Sequence, residues 1–255
     1  MQTINIKNTI LKPKVHEHKK IENIVSKKIT IAIDGFSSTG KSTLAKQLAN
    51  HLGYVYVDTG AMYRAITFFA MQNGFINKTF FDKQTLINSL PFIKLHFEFN
   101  TDLGFAEMYL NDVNVENEIR TLDVSNLVSL VAEVSEVRAK LVEQQQEMGK
   151  EKAIVMDGRD IGTVVFPDAE LKVFMTASAQ TRAQRRFDEL QNKGQEVTFE
   201  EILENVQQRD YIDTHRDDSP LVKAADAIEI DNSYLSREEQ FQAVLELANE
   251  VISQQ

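Results

Sequence analysis

The sequence predicts an α/β fold in which a doubly wound parallel sheet carries helices on both faces. Three short apolar runs, at residues 29–33, 153–156 and 171–175, contain few charged side chains. Continuous runs of this kind are typical of parallel strands that are covered on both faces. Segments with helical periodicity separate the runs, and alternation of strands with helices favours a parallel sheet. A glycine-rich loop follows the first run directly, which places the loop at the carboxyl end of a strand.

That loop matches the phosphate-loop pattern G-x-x-x-x-G-K-[ST] through Gly35, Phe36, Ser37, Ser38, Thr39, Gly40, Lys41 and Ser42. The glycines allow the backbone to curl until several N–H groups face one anion, and the next helix adds its positive end. Lys41 would reach the outer phosphates, and the Ser42 hydroxyl would ligate Mg²⁺. An accidental glycine turn is the alternative, but it explains neither the preceding strand nor the following helix. We therefore expect a P-loop NTPase core that binds a nucleoside triphosphate.

The segments after the loop continue the pattern of strands and helices. We predict strands at 55–57 and 227–230 and helical segments at 61–73, 122–148, 180–210 and 236–253. The periodicity changes to two near residue 92, where apolar side chains alternate with polar ones up to residue 99. Two further short strands, 106–110 and 113–115, are separated by the turn residues Asn111 and Asp112. We interpret these three strands as a small antiparallel sheet inserted into the core.

Bulk properties exclude several classes of protein. The chain has 255 residues, 42% of them hydrophobic, which suits one domain with insertions or two small domains. It has no cysteine, which excludes disulfides and thiolate metal sites and fits a reducing cytoplasm. No apolar run is long enough to span a bilayer, and residues 1–7 hold no signal-peptide core. The net charge of -10 disfavours long nucleic acids as partners.

The charge is unevenly distributed. Residues 1–28 contain seven lysines and two glutamates, a net of +5, and they show weak periodicity. We interpret them as a mobile basic extension that precedes the P-loop core at 29–255.

Arginines and aspartates are placed at predicted strand ends and on late helices. The arginines are Arg64, Arg120, Arg159, Arg182, Arg185, Arg186, Arg209 and Arg216. Surface ion pairs would explain any one of them, but several guanidiniums that converge beside the phosphate loop would bind phosphate oxygens bidentately. Asp34 and Asp157 end predicted strands and would lie near the Ser42 metal position, with a helix cap or a structural ion pair as the alternative role for each.

Four blocks of the chain resemble bacterial cytidylate kinases, a family of P-loop nucleoside monophosphate kinases. They are residues 31–44, 58–64 and 157–169, and a late block of Arg209, Asp210, Tyr211, Ile212 and Asp213 with Arg216 and Ser219-Pro220-Leu221. Glu118-Ile119-Arg120 also resembles the family pattern. The resemblance runs from about residue 29 to the end of the chain.

The resemblance implies transfer of a phosphoryl group from ATP to CMP or dCMP with Mg²⁺. Carried onto this chain, it assigns catalysis to Lys41, Arg64, Arg159 and Arg216, and ATP binding to the loop, Thr43, Arg182 and Arg186. Arg64, Arg159 and Arg216 would hold the CMP phosphate together with Thr59. Arg120 and Asp160 would read the cytosine, and Arg209 and Asp213 would hold the ribose. Residues of about 90–120 would form a nucleoside monophosphate-binding insertion, and about 180–216 a helical lid.

Cytosine recognition has a physical basis. Cytosine offers an amino donor at N4 and an acceptor at N3, which suit a carboxylate such as Asp160 and a guanidinium such as Arg120. Uracil would turn an oxygen toward the carboxylate, and mispaired buried polar groups discriminate strongly.

Three alternatives remain to be distinguished. Another P-loop small-molecule kinase, acting on UMP or shikimate, would share the loop and lack the base-reading residues. A regulatory GTPase would need Asn-Lys-x-Asp, which neither Asn77-Lys78 nor Asn192-Lys193 provides. A nucleic-acid-binding module conflicts with the acidic charge. We expect small-molecule substrates, no nucleic acid or membrane partner, and a monomer.

Overall fold

The computed structural model describes residues 27–102 and 104–254. The strands are β1 (Thr30–Gly35), β2 (Val55–Asp58), β3 (Leu95–Asn100), β4 (Phe105–Leu110), β5 (Val113–Asn114), β6 (Ile154–Gly158), β7 (Leu171–Thr176) and β8 (Ile228–Asp231). The α-helices are α1 (Lys41–Leu52), α2 (Thr59–Gln72), α3 (Lys83–Ser89), α4 (Leu122–Ala132), α5 (Ser135–Met148), α6 (Ala179–Asn192), α7 (Phe199–His215) and α8 (Arg237–Gln254). Of the predicted extension at 1–28, only residues 27 and 28 fall within this range.

Five parallel strands form the large sheet, in the order β2-β6-β1-β7-β8. In the register, Ile33 of β1 lies opposite Asp157 of β6 and Val173 of β7. The chain places β2 and β6 on one side of β1 and β7 and β8 on the other, so a crevice opens beyond the carboxyl end of β1. The predicted doubly wound parallel sheet is confirmed.

Side chains of β1 alternate between the two faces of this sheet. Ile31 and Ile33 pack in a core with residues of α1 and α8. Ala32 packs on the opposite face with Met156 and Ile161. Both faces are therefore covered, which explains why the central strands are apolar without alternation.

The small sheet has three antiparallel strands in the order β3-β4-β5. Leu95 pairs with Leu110, and Tyr109 pairs with Asn114. Asn111 and Asp112 join β4 to β5 with positive φ angles of 48° and 65°, the conformation of a tight hairpin turn that favours these residue types. The predicted inserted antiparallel sheet is confirmed, with a third strand of two residues.

Two predicted helical segments are each divided in two. Val134 separates α4 from α5, with an extended backbone (φ −76°, ψ 112°) and a buried side chain. Gly194 (φ 72°) and a capping box formed by Thr198 and Glu201 separate α6 from α7. Glycine and the capping box are sequence signals for a helix end and a helix start, whereas the break at Val134 has no such signal.

The prediction lacked several local elements, of which two bear on the fold. One is α3, which begins at Asp82, whose carboxylate accepts the Thr85 N–H at 2.9 Å. The other is a π-helical turn, Ile161–Val165, directly after β6. Across residues 27–102 and 104–254, none of the helices combines the length and apolar character needed to cross a bilayer.

Candidate active site

The phosphate loop connects β1 to α1 in a conformation that requires its glycines. Gly35 has a φ of 140°, and a Cβ there would lie 2.0 Å from the carbonyl oxygen of Met175 on β7. Gly40, with a φ of 90°, is the residue before the first turn of α1. A side chain at Gly35 would therefore collide with β7, and at both positions the φ angle lies in the region that favours glycine.

Lys41 folds back over the loop. Its Nζ donates to the carbonyl oxygen of Phe36 at 2.6 Å and to Oγ1 of Thr39 at 3.4 Å. Burial and the neighbouring Arg159 guanidinium lower the pKa of Lys41 well below its usual range. Neutral oxygens therefore hold this ammonium group, and a bound anion would stabilise its charge.

Asp157, at the end of β6, faces Ser42 of the loop. Its carboxylate accepts the Ser42 hydroxyl at 3.0 Å and the Tyr56 hydroxyl at 2.8 Å. Burial, reinforced by the charge of Asp58, raises the pKa of Asp157 to about 6. Two hydroxyl groups thus stabilise a carboxylate whose charge is opposed by burial, directly beside the predicted metal ligand Ser42.

Asp34, the second carboxylate predicted near the metal, is engaged elsewhere. Its two oxygens accept the backbone N–H groups of Ile161 at 2.8 Å and Gly162 at 2.7 Å. Burial raises the pKa of Asp34 to about 7, despite these hydrogen bonds. The contacts of Asp34 fix the π-helical turn against β1. Of the two carboxylates, Asp157 is the one that contacts Ser42.

A cationic cavity of about 280 Å³ opens above the loop, and we call it the phosphate-loop cavity. From the loop it is lined by Ser37, Ser38, Gly40, Lys41, Ser42 and Thr43. Its other charged lining residues are Asp58, Arg64, Arg120, Asp157, Arg159, Arg186, Glu189 and Arg209. Three predicted loop contacts, Gly35, Phe36 and Thr39, support the loop from outside this lining.

Asp58 organises the arginines at one side of this cavity. It caps α2 by accepting the Ala61 N–H, and it also accepts from Arg64 at 2.9 Å and Arg120 at 2.8 Å. Although burial opposes its charge, these guanidiniums lower the pKa of Asp58. Arg120 also bonds Glu116 at 2.5 Å, so two carboxylates fix its position.

A second cavity, of about 50 Å³, adjoins the first. We call it the Asp160 cavity; its polar lining residues are Thr59, Tyr63, Arg64, Ser129, Arg138, Arg159, Asp160, Arg209, Asp213 and Arg216. Arg64, Arg159 and Arg209 line both cavities. Lys41 and the guanidiniums of Arg64, Arg159 and Arg216 therefore meet along one continuous depression at the crevice edge of the sheet.

The structure separates the two residues predicted to read the cytosine. Asp160 lines the Asp160 cavity and accepts a short hydrogen bond from Nη2 of Arg138. Arg120 lines the phosphate-loop cavity, where Asp58 and Glu116 hold it. The guanidinium beside Asp160 is thus that of Arg138, because α5 rather than the segment after the small sheet packs against the π-helical turn.

Asp213 lies among several of the predicted arginines. It accepts from Arg159 Nε at 2.8 Å and from the Ser129 hydroxyl at 2.9 Å. Burial opposes its charge, but Arg159, Arg209 and the other nearby guanidiniums lower the pKa of Asp213. Arg209 donates to Ser125 at 3.0 Å, and its Nε is buried without a hydrogen-bond partner among the described residues. Burial, together with Arg159, lowers the pKa of Arg209 to about 9.

The other predicted binding residues vary in their availability. Arg216 donates to the Ser219 carbonyl at 2.8 Å, and Thr59 donates to the Asp157 carbonyl at 2.7 Å. Arg186 lines the phosphate-loop cavity and bonds Glu189 at 2.9 Å. Arg182 is buried and braces the loop itself.

Arg182 uses three of its nitrogens within the protein. They donate to the carbonyl oxygens of Ala177 and Ser37 and to both oxygens of Asp210, at 2.6 to 3.3 Å. Its guanidinium lies 5.1 Å from the centre of the Phe36 ring. Arg182 therefore ties the phosphate loop to α6 and α7, and its direct contact with ATP stays a prediction.

Sequence reasoning missed Arg138, Ser125, Ser129 and Tyr56. Arg138 carries a recognisable signal, since it occupies a position between Val134 and Leu141 on the apolar face of a predicted helix. A charged side chain there must be paired or functional when it is buried. The serines and Tyr56 carry no comparable signal, because short polar residues on helices and aromatic residues in strands are common.

Comparison with known proteins agrees with this geometry. The family model for cytidylate kinase matches residues 31–250. The chain belongs to the cytidylate kinase family. It is 76% identical to a cytidylate kinase of Flavobacterium johnsoniae over 226 residues, which are 89% of this chain and 98% of the relative. A cytidylate kinase of Flavobacterium psychrophilum is 74% identical, with 88% of this chain and all of the relative covered. One from Bacteroides thetaiotaomicron is 58% identical, with 89% and 100% covered.

Proposed function

We propose that this protein transfers the γ-phosphoryl group of ATP to CMP or dCMP, which yields ADP and CDP or dCDP in pyrimidine nucleotide metabolism. The observation that carries this proposal is the junction of the two cavities. A phosphate loop opens into one of them, and the other contains a buried arginine–carboxylate pair. Because Arg64, Arg159 and Arg209 line both, two anionic nucleotides would meet with their phosphates at these guanidiniums.

The hydrogen-bonding groups of the Asp160 cavity suit the base edge of cytosine. Asp160 would accept from the N4 amino group, and Arg138 would donate to the N3 and O2 acceptors of the base. Arg138 is 2% exposed, so its orientation is fixed by packing. Although burial opposes the charge of Arg138, Tyr63 and Asp160 raise its pKa. Uracil would present an acceptor to Asp160, which supports discrimination against UMP. We therefore replace Arg120 with Arg138 in the proposed base-reading pair.

The phosphate and ribose of the acceptor would lie between the base and the loop. Arg64, Arg159 and Arg216 would hold the phosphate, with Arg120 added from the phosphate-loop side. Arg209 and Asp213 would contact the ribose. Guanidinium groups bind phosphate oxygens bidentately, and burial strengthens such charge-assisted hydrogen bonds.

The donor ATP would place its phosphates on the loop and on Lys41. A neighbouring cavity of about 470 Å³ shares Ser38, Gly40, Thr43 and Arg186 with the phosphate-loop cavity, and it continues toward Ser236 and Gln240 at the start of α8. This space suits the adenosine. Arg186 would bridge the two parts of ATP, whereas Arg182 would act through the loop.

The residues at the loop fit a magnesium ion that the substrate brings with it. Ser42 and Asp157 would hold Mg²⁺, with the ATP phosphates completing its oxygen ligands, and the ion would neutralise charge on those phosphates. Among residues 27–102 and 104–254, no group of three or more His, Cys, Asp or Glu side chains is placed to hold a metal. Mg²⁺ usually takes one or two carboxylates plus phosphates and water, so a dedicated protein cage is not needed.

The reaction needs alignment more than acid–base chemistry. An anionic oxygen of the CMP phosphate forms a bond to the γ-phosphorus, the bond from that phosphorus to the bridging oxygen breaks, and ADP leaves with the electron pair. No proton must be removed from the nucleophile. Lys41 and the arginines would stabilise the charge on the transferring group, and closure of α6 and α7 as a lid would exclude water. We place this reaction in the cytoplasm and in a monomer.

A substrate panel tests the proposal. ADP release is measured with ATP and each of CMP, dCMP, UMP, AMP and GMP at equal concentration. We expect CMP and dCMP to exceed the others in kcat/KM by at least about tenfold. Turnover of UMP that equals turnover of CMP would refute the assignment of Arg138 and Asp160 to the base. Release of ADP without any acceptor dependence would refute the kinase assignment itself.

A further inference from the structure

A separate cleft lies between the large sheet and the small sheet. Its volume is about 650 Å³, and Lys46, Tyr54, Tyr56, Phe97, Phe99 and Phe105 are among its lining residues. We call it the edge cleft. Both cavities of the proposed active site are lined by several arginines, whereas the lining of the edge cleft is dominated by aromatic and aliphatic side chains with a single lysine.

The rim of the edge cleft exposes apolar surface. Val55 on β2 is 63% exposed and Phe99 on β3 is 68% exposed. These strands are the outermost strands of their sheets on this side. Exposed apolar side chains that line one concave surface differ from scattered ones, because together they offer a ligand an apolar area to bury.

Lys46 places one positive charge inside the cleft. Its Nζ lies 3.5 Å from the centre of the Phe105 ring and 5.7 Å from that of Tyr56. Within residues 27–102 and 104–254, Lys46 has neither a hydrogen-bond partner nor an ion-pair partner. Burial and the nearby Arg120 lower its pKa. A half-buried ammonium that lies against two ring faces would gain stability from an anion.

We propose that the edge cleft is a binding site for a flat apolar molecule that carries one negative charge. The aromatic walls would stack on the body of the ligand, and Lys46 would pair with its carboxylate or sulfonate. A volume of about 650 Å³ is typical of a site for a small organic ligand. Phosphate-rich nucleotides do not suit the cleft, since its lining offers them one cation.

The site would communicate with the proposed metal position through Tyr56. The ring of Tyr56 lines the cleft, and its hydroxyl donates to Asp157 at 2.8 Å. The other oxygen of Asp157 accepts from Ser42 in the phosphate loop at 3.0 Å. A ligand that displaces the Tyr56 ring therefore changes the hydrogen bonding of Asp157, and by linkage ATP binding changes the affinity of the cleft.

A pair of fluorescent naphthalene probes tests the site on the full chain. Anilinonaphthalene sulfonate is anionic, and N-phenylnaphthylamine is a neutral molecule of similar shape. We expect saturable binding of the sulfonate at one site per chain. Phe99→Ala should weaken both probes at least about fivefold, because it removes one aromatic wall. The matched control Phe92→Ala removes an aromatic ring that is 74% exposed elsewhere, and it should leave both affinities unchanged.

Lys46→Met separates the contribution of the ammonium charge to binding from that of the shape of the cleft. It should weaken the sulfonate about tenfold and leave the neutral probe within about twofold, since only the sulfonate pairs with the ammonium. Equal affinities in wild type, Phe99→Ala and Lys46→Met would place the probe elsewhere and overturn the proposal. Complete displacement by ADP in wild type, with no effect of Phe99→Ala, would place it in the nucleotide cavity and would overturn the proposal equally.

The coupling has its own readout. Saturation with the sulfonate should change the affinity for ATP in wild type and in Phe92→Ala, and the same change in Phe99→Ala should need at least about fivefold more sulfonate. An ATP affinity that is the same with and without bound sulfonate would refute the link through Tyr56. Because probe binding does not depend on turnover, its loss is distinguishable from a failure of the kinase assignment.

Discussion

The phosphate-loop cavity and the Asp160 cavity share three arginines, yet they hold their charges in different ways. In the first, ion pairs of Asp58 fix Arg64 and Arg120 at one side, but at the loop Lys41 is held by the Phe36 carbonyl and Asp157 by the hydroxyls of Ser42 and Tyr56. In the second, Asp160 is paired directly with Arg138 and Asp213 with Arg159. A charge that is held by neutral partners is not compensated, so it can bind an ionic ligand. A charge that is held by an opposite charge is compensated, and the pair then presents donors and acceptors in fixed positions.

This difference indicates that the two cavities have separate roles in one reaction. Lys41 and Asp157 have perturbed pKa values because burial is incompletely compensated, so a phosphate and a metal would supply what the protein leaves out. In the Asp160 cavity, Asp160 and Asp213 have charged partners without a ligand, so the value of these two pairs lies in orientation. We therefore expect substitutions in the first cavity to reduce the rate and substitutions in the second to alter substrate choice.

Lys41→Met should have the largest effect. It removes the cation that neutral oxygens hold ready for phosphate, so kcat should fall by about 10³-fold, while CMP affinity changes little. Steady-state kinetics with a direct assay for CMP binding would measure both. If the Lys41→Met enzyme retained most of its kcat but bound CMP poorly, the two cavities would not have the separate roles proposed here.

Arg138→Lys should have the next largest effect, and it acts on specificity. A lysine keeps the charge beside Asp160 but loses the planar guanidinium, so kcat/KM for CMP should fall by about 10²-fold while UMP loses less. Urea unfolding checks that the variant remains folded, since a broken buried pair costs about 3–5 kcal/mol.

Arg120→Lys is the matched control for Arg138→Lys. Arg120 lines the phosphate-loop cavity, so the variant should lower kcat/KM for CMP and UMP by similar factors. If the CMP to UMP ratio changed in Arg120→Lys and stayed constant in Arg138→Lys, the base would be read at the other cavity.

Tyr56→Phe should change the pH dependence of the rate. The Tyr56 hydroxyl stabilises the charged form of Asp157, whose pKa is raised to about 6 by burial. Loss of this hydrogen bond raises that pKa further, so the fraction of ionised Asp157 in the free enzyme falls and the acidic limb of the kcat/KM profile for ATP moves to higher pH. At pH 6 kcat/KM should drop about two- to fivefold, with little change at pH 8.

Tyr54→Phe provides the control, because the Tyr54 hydroxyl accepts from the Ile29 N–H rather than contacting Asp157. Its pH profile should match that of the wild type. A shift of equal size in both variants would assign the effect to the aromatic wall of the edge cleft and not to Asp157.

Much of the fold follows from local sequence signals. Continuous apolar runs predict the central strands because both faces of the sheet are buried, and Gly35 and Gly40 predict the loop because only glycine adopts its backbone angles without strain. The break at Val134 could not be predicted in this way. It depends on packing of a β-branched side chain into the core, and no glycine, proline or cap marks it.

That missed break also explains why the candidate site was predicted only in part. Residues near strand ends, such as Asp157 and Arg159, were found because parallel strands bring their carboxyl ends together. Arg138 lies in the second half of a helix that was predicted as continuous, and its contact with Asp160 depends on the direction in which α5 leaves Val134. Pairings set by the angle between two helices are not encoded by periodicity, which reports only which face is buried.

Two serines on α4 allow the finest test of the comparison. Ser125 lines the phosphate-loop cavity and accepts from Arg209 at 3.0 Å. Ser129, one turn later, lines the Asp160 cavity and donates to Asp213 at 2.9 Å. Replacing either by alanine removes one hydrogen bond to a charged partner, which is worth about 1–2 kcal/mol and gives a change of about five- to tenfold.

The two serine variants should differ in the kinetic constant that changes. Ser129→Ala should raise KM for CMP at nearly constant kcat, since Asp213 loses a bond that orients it toward the ribose. Ser125→Ala should lower kcat, since Arg209 also lines the phosphate-loop cavity and would lose its hydroxyl partner there. If both variants changed kcat, or if both changed KM, the two cavities would act as a single site. The comparison is direct because both substitutions replace serine by alanine on the same helix.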